Sequence, residues 1–110
     1  MREYMIILKG KKPLDYSPEA LQKRLEAYRE WAQQLGEQYV TGQRLEQEGA
    51  YIKEKNNILT DGPFLESKEI IAGYIIIKAV DLNQAIAVTN DLPLLAHFEA
   101  YVRPLIDEHQ

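Results

Sequence analysis

The run Ile70-Ile71-Ala72-Gly73-Tyr74-Ile75-Ile76-Ile77-Lys78-Ala79-Val80 decides the fold. Its β-branched and aromatic residues suit a pleated strand. A strand covered on one side only alternates apolar and polar side chains. Here Ile75 and Ile77 oppose Tyr74 and Ile76, so both faces are apolar. Glu3 to Lys9 repeats the pattern, with Tyr4, Ile6 and Leu8 on one side and Met5 and Ile7 on the other. Two such strands need cover on two sides.

Working outward from this strand, Asp81 and Gln84 stand three apart, as in a capping box, and open a helix. Leu82, Ala85, Ile86, Thr89 and Leu92 fall on one face of it, and Pro93 stops it. Glu99 to Arg103 is a last short strand before Pro104. Upstream, Ser17-Pro18-Glu19 is a helix start: a side-chain acceptor, a proline suited to the first turn, and an acid at the positive end. Leu21, Leu25, Tyr28, Ala32 and Leu35 form its apolar stripe, Trp31 packs beside them, and Gly36 closes it. Gln38 to Leu45 and Ala50 to Lys53 read as strands joined by Glu46-Gln47-Glu48-Gly49 into an antiparallel hairpin. Lys55-Asn56-Asn57 is a turn signal, and Ile58 to Thr60 resumes extended structure.

The order βαββαβ, with one extra strand piece, predicts a single α+β domain over residues 1–110 of ferredoxin-like topology, an antiparallel sheet with two helices on one face. Two helices cover one face only, so the second apolar face predicts a sheet from a second copy, a homodimer.

Composition narrows the function classes. The chain has 110 residues, net charge −4 and no cysteine, and its pI is near 5.2. Disulfide and thiolate-metal chemistry are excluded, and there is no basic footprint for nucleic acid. No apolar run approaches a membrane span, and Met1 to Lys12 lacks the apolar core of a signal peptide, so the expectation is a cytoplasmic protein without membrane or nucleic-acid partners. No glycine-rich phosphate loop, nucleophile elbow or histidine-rich ligand set occurs, and neither cofactor nor metal is expected.

Thr60-Asp61-Gly62-Pro63-Phe64 is the most unusual stretch. Gly62 before Pro63 is kept out of the helical region, and Asp61-Gly62 favours a tight turn. Asp61 then either caps backbone N–H groups in a rigid turn or presents its carboxylate at a pocket mouth, with Phe64 as anchor or wall. His97, in Leu94-Leu95-Ala96-His97-Phe98, is either a polar residue on a connection or a proton-transfer partner for Asp61. His109 lies beside the C-terminus and is read as tail. The seven tyrosines read first as packing residues and second as the lining of an aromatic-compatible cavity.

The stretch from Thr60 to Tyr74 resembles the signature of the YCII-related family in its DGPF subgroup, through Asp61, Gly62, Pro63, Phe64, Glu66, Lys68, Glu69 and Gly73. Agreement extends to Ser17-Pro18-Glu19, Thr41-Gly42 with Leu45, Asp81-Leu82 with Ala85, and Val102-Arg103-Pro104, covering nearly the whole chain. The resemblance implies a dimeric α+β barrel. It also implies relatives that act on small aromatic substrates, a proposed catalytic His–Asp pair, and genes often found beside alternative sigma factors. Matching the family's helix-ending glycine to Gly36 puts Leu25 at the histidine place and Gln34 at the aspartate place. Neither transfers a proton, so the pair does not carry over. Two expectations follow: a dimeric small-molecule-binding or regulatory module, or an enzyme on hydroxylated aromatic-type substrates using Asp61 and His97.

Overall fold

The computed structural model describes residues 1–10, 16–46, 48–60 and 70–107. Strand β1 (Arg2–Gly10) leads to helix α1 (Pro18–Leu35), then to β2 (Tyr39–Arg44), β3 (Ala50–Glu54) and β4 (Asn57–Thr60). Strand β5 (Ile71–Ala79), helix α2 (Leu82–Asn90) and β6 (Phe98–Pro104) follow, with a short 3-10 turn, Pro93–Ala96, before β6. The four-stranded sheet has the order β2-β5-β1-β6, all neighbours antiparallel. Numbering only these four, the order is 2-3-1-4, the ferredoxin-like arrangement, with β3–β4 as a separate two-stranded piece.

The helix ends follow their capping residues. Ser17 accepts from the Ala20 N–H at 3.3 Å, Pro18 takes the first turn, and Gly36 closes α1 at φ 59°, a backbone region that glycine enters without a Cβ clash. Asp81 accepts from the Gln84 N–H at 2.8 Å, while Gln84 Oε1 accepts from the Val80 N–H, also at 2.8 Å. The reciprocal arm of the box therefore reaches one residue further back than the Asp81 N–H.

Both helices pack on the face formed by Tyr4, Ile6, Leu8, Ile75, Ile77 and Ala79, all buried, together with Trp31, Ala85 and Leu92. Trp31 is the one buried residue of α1, and its indole N–H donates to the Val88 carbonyl at 3.2 Å, fastening α1 to α2. In α2 the expected stripe is rotated: Ala85 and Thr89 are buried and Val88 half-buried, whereas Leu82 and Ile86 are exposed. The inward side of α2 is lined by small residues, so this helix approaches the sheet closely. The buried Thr89 hydroxyl is satisfied by donating to the Ala85 carbonyl at 2.8 Å.

The opposite face carries Met5, Ile7, Tyr74 and Ile76, aligned by the registers Met5↔Ile76 and Ile7↔Tyr74, with Tyr101 opposite Ile7. No described helix packs on this face; Met5, Ile7, Tyr74 and Ile76 are half-buried there and Tyr101 is 53% exposed. The molecule is 18 Å across its shortest axis, which leaves room for one sheet and one helix layer.

The sheet corrects one expectation. Gln38–Leu45 and Ala50–Lys53 do not form a hairpin with each other: β2 lies on the edge beside β5, and β3 pairs with β4. The Lys55-Asn56 turn prevails because it joins β3 to β4 in two residues, with Asn56 at φ 67°. Asparagine tolerates that left-handed conformation, so the closest possible pairing is also an unstrained one.

Ile77→Ala is expected to lower unfolding free energy by about 2–5 kcal/mol, as for a fully buried aliphatic side chain. Asp81→Ala is expected to cost about 1 kcal/mol through loss of its cap. Urea unfolding monitored by circular dichroism measures both.

Candidate ligand cavity

A cavity of about 1140 Å³ opens between the N-terminal half of α1 and one end of the sheet. At that end β1 and β2 leave the sheet and β5 enters it, held by Gly10 N–H to Ile70 carbonyl (3.0 Å) and Leu45 N–H to Ala72 carbonyl (2.9 Å). Leu8, Leu25, Ile75, Leu94 and Phe98 supply apolar wall, and Arg24, Arg29 and Arg44 stand against Glu46 and Glu48 as its charged groups among the described residues. Arg24 lies over the Tyr16 ring, 5.8 Å from its centroid.

One wall is built by a departure from regular strand geometry. In a regular strand, residues three apart face opposite sides. The register of β2 against β5 shifts between Tyr39↔Ile77 and Thr41↔Ile76, so Val40 is an extra residue, a β-bulge. Tyr39, Gly42 and Arg44 consequently all face α1, opposite Ile77, Ile75 and Gly73. Tyr28 of α1 meets Tyr39 there through a hydroxyl–hydroxyl hydrogen bond. Tyr28 also stacks on Trp31 (centroids 6.1 Å apart), and Tyr39 stands edge-on to both rings.

Gly42 makes this meeting possible. A Cβ at Gly42 would overlap the Tyr28 hydroxyl and come within 2.8 Å of the Tyr39 hydroxyl. Burial first, and then the hydrogen bond and proximity of Tyr39, raise the Tyr28 pKa above the ordinary phenol value of 10.0. Tyr28 therefore stays a neutral phenol well into the alkaline range. The sequence offers the tyrosines as packing or cavity-lining residues and carries no signal for the bulge that brings Tyr39 and Gly42 to one face.

The residues singled out from sequence divide as follows. His97 ends the 3-10 turn, its N–H donating to the Leu94 carbonyl at 2.9 Å. Its partly buried side chain lines a separate recess of about 140 Å³ with Lys23, Arg24 and Ala27. It makes no hydrogen bond or ion pair with another described side chain, and it is absent from the described lining of the large cavity. Asp61, Phe64 and His109 lie outside the described residues, so the structure does not address an Asp61–His97 couple. The Asp61 segment joins the described chain at Thr60 and Ile70, and Ile70 lines the large cavity. Leu25 lines the same cavity, and Gln34 is exposed. No group of three or more His, Asp or Glu side chains among the described residues is placed to hold a metal ion, and no described helix is long and apolar enough to cross a membrane.

Two glycines make contrasting expectations. At Gly73 a Cβ would lie 2.7 Å from the Gln43 backbone carbonyl, which is fixed in the sheet, whereas at Gly42 it meets side-chain tips that can move aside. Gly73→Ala is expected to cost about 1–3 kcal/mol, more than Gly42→Ala, in urea unfolding. Tyr28 adds a pH effect. Its native pKa lies above its unfolded one, so the stabilisation is complete below about pH 10 and is lost as pH rises through the native value. Spectrophotometric alkaline titration should show Tyr28→Phe deleting a phenol that ionises later than the exposed tyrosines.

The YCII-related domain matches residues 3–107 of the chain. No curated protein matches it. Among solved structures, the chain is similar to the 5-chloro-2-hydroxyhydroquinone dehydrochlorinase of Burkholderia phenoliruptrix AC1100, determined in complex with 2,5-dihydroxybenzoquinone. The TM-score is 0.55 at 15% identity, over 94% of this chain and 93% of that one. That likeness supports the fold, and the domain match supports the family. The chain belongs to the YCII-related family.

Proposed function

We propose that this chain is a homodimeric small-molecule-binding or regulatory module of the DGPF subgroup, working in the cytoplasm. The observation that carries the reading is the cavity of about 1140 Å³ between α1 and the sheet, with apolar walls and arginines at its margin. At the place of the family's proposed histidine stands Leu25, an apolar wall residue of that cavity. The homodimer is supported by the apolar, half-buried face of Met5, Ile7, Tyr74 and Ile76, whose burial a second sheet would complete. Subgroup membership rests on Asp61-Gly62-Pro63-Phe64.

A second reading is a small-molecule enzyme acting on hydroxylated aromatic-type substrates by acid/base chemistry, with Asp61 as proton carrier and His97 as its partner. The name of the similar structure, a dehydrochlorinase holding a dihydroxybenzoquinone, favours it. So does the position of Ile70, which ends the Asp61 segment at the cavity rim.

Sedimentation velocity at micromolar concentration is expected to show a dimer, and Ile76→Lys to convert it to monomer. A wild-type monomer would remove the assembly. Thermal-shift screening against small hydroxylated aromatics is expected to stabilise the protein by several degrees at saturating ligand. Stabilisation that persists in Asp61→Asn takes Asp61 out of the binding role; turnover of a hit that stops in Asp61→Asn establishes the enzymatic reading.

A further inference from the structure

We propose that the paired hydroxyls of Tyr28 and Tyr39 above Gly42 recognise an anionic oxygen on a planar ring, a phenolate or enolate, bound in the cavity between α1 and the sheet. The inference rests on reading that cavity as a small-molecule site and names the ligand's chemical class.

The geometry sets the roles of the two phenols. Tyr28 and Gly42 both line the cavity, and Tyr39 does not. The Tyr28 hydroxyl lies over Gly42, and the Tyr39 hydroxyl is its hydrogen-bond partner. When a ligand oxygen accepts from Tyr28, Tyr39 donates to Tyr28 and Tyr28 donates onward. Each hydroxyl in such a chain polarises the next, which strengthens the bond that ends on the ligand. An anionic acceptor gains most, because hydrogen bonds to ionised oxygen are shorter and stronger than neutral ones.

Two further features suit the same class. Arg29 and Arg44 line the same cavity. Leu8, Leu25 and Phe98 offer apolar surface to a ring. Tyr28 is thus the binding residue and Tyr39 the positioning residue behind it. Gly42, aided by the Val40 bulge, gives the two hydroxyls the space to meet.

The test uses para-nitrophenol, whose phenolate absorbs visible light, and para-nitroanisole, which has nearly the same shape and no proton to lose. Equilibrium dialysis measures affinity, and absorbance against pH gives the ionisation midpoint of bound para-nitrophenol. Wild-type protein is expected to bind the phenolate about tenfold more tightly than the anisole. Its bound midpoint should fall about one unit below that of free para-nitrophenol, the same tenfold preference. Tyr28→Phe should abolish both effects. Tyr39→Phe should shrink the midpoint shift while leaving anisole affinity unchanged, which loss of packing alone does not do. Both variants keep their rings, and the fluorescence of Trp31, the only tryptophan, reports that the cluster is intact. A midpoint shift unchanged in Tyr28→Phe overturns the inference, because the arginines alone then hold the anion. Equal binding of both probes without a shift also overturns it. In either case the cavity reading stands. Failure of both probes to bind removes the inference, and an empty thermal screen removes the cavity reading with it.

Discussion

Everything in this molecule is arranged around the pairing of β1 with β5. Tyr4 faces Ile77 and Ile6 faces Ile75 across the ladder, and the intervening pairs Met5–Ile76 and Ile7–Tyr74 are as apolar on the reverse side. A pair of this kind gains little by lying on the surface of a sheet, so it takes the centre, with β2 and β6 outside it. That placement sends the helices to one face, because the crossovers β1→β2 and β5→β6 start from antiparallel strands, run in opposite directions across the sheet and are both right-handed. It also leaves the reverse face of the central strands without a described helix over it.

Trp31 then determines how the helical layer sits. Its buried ring fixes the rotation of α1 on the sheet, and its indole N–H ties α1 to the carbonyl of Val88. With Trp31 inward, Tyr28 lies one helical turn nearer the N-terminus and above Gly42, while Arg24 and Leu25 stand beside the cavity. The residue that packs best therefore sets the positions of the residues available for binding. The cavity occupies the part of the interlayer space that α1 spans without filling.

Much of this could be read in the chain beforehand, for identifiable reasons. Ser17, Gly36 and Asp81 mark helix ends because their chemistry acts within one turn. The two-sided apolar pattern of Tyr4–Leu8 and Tyr74–Ile77 marks central strands because side-chain alternation is fixed by the backbone. What sequence did not convey depends on partners far apart along the chain. The edge position of β2, its pairing with β5 and the bulge at Val40 arise from competition between alternative registers. Glu46 to Gly49 and Lys55-Asn56 both read as turns, and only the second closes a hairpin. Tyr28 and Tyr39 are eleven residues apart on different element types, and nothing local announces that their hydroxyls meet. Asp61 belongs to neither class: its motif is plain in the sequence, and its surroundings lie outside the described residues.

The β3–β4 ribbon has a different standing from the rest of the molecule. Its described side chains are exposed, including Tyr51, Ile52 and Ile58, so among the described residues it is a ladder with no hydrophobic layer beneath it. Two strands in that situation are marginal on their own in water. Its cooperativity is therefore local: the ribbon can fray and re-form without disturbing the β1–β5 core, and its amides exchange with solvent through that opening rather than through global unfolding. Extra chain inserted at Lys55-Asn56 would be carried on this semi-independent spur at little cost to the sheet, which makes the turn the natural point for evolution, or an experimenter, to graft a new segment onto this fold.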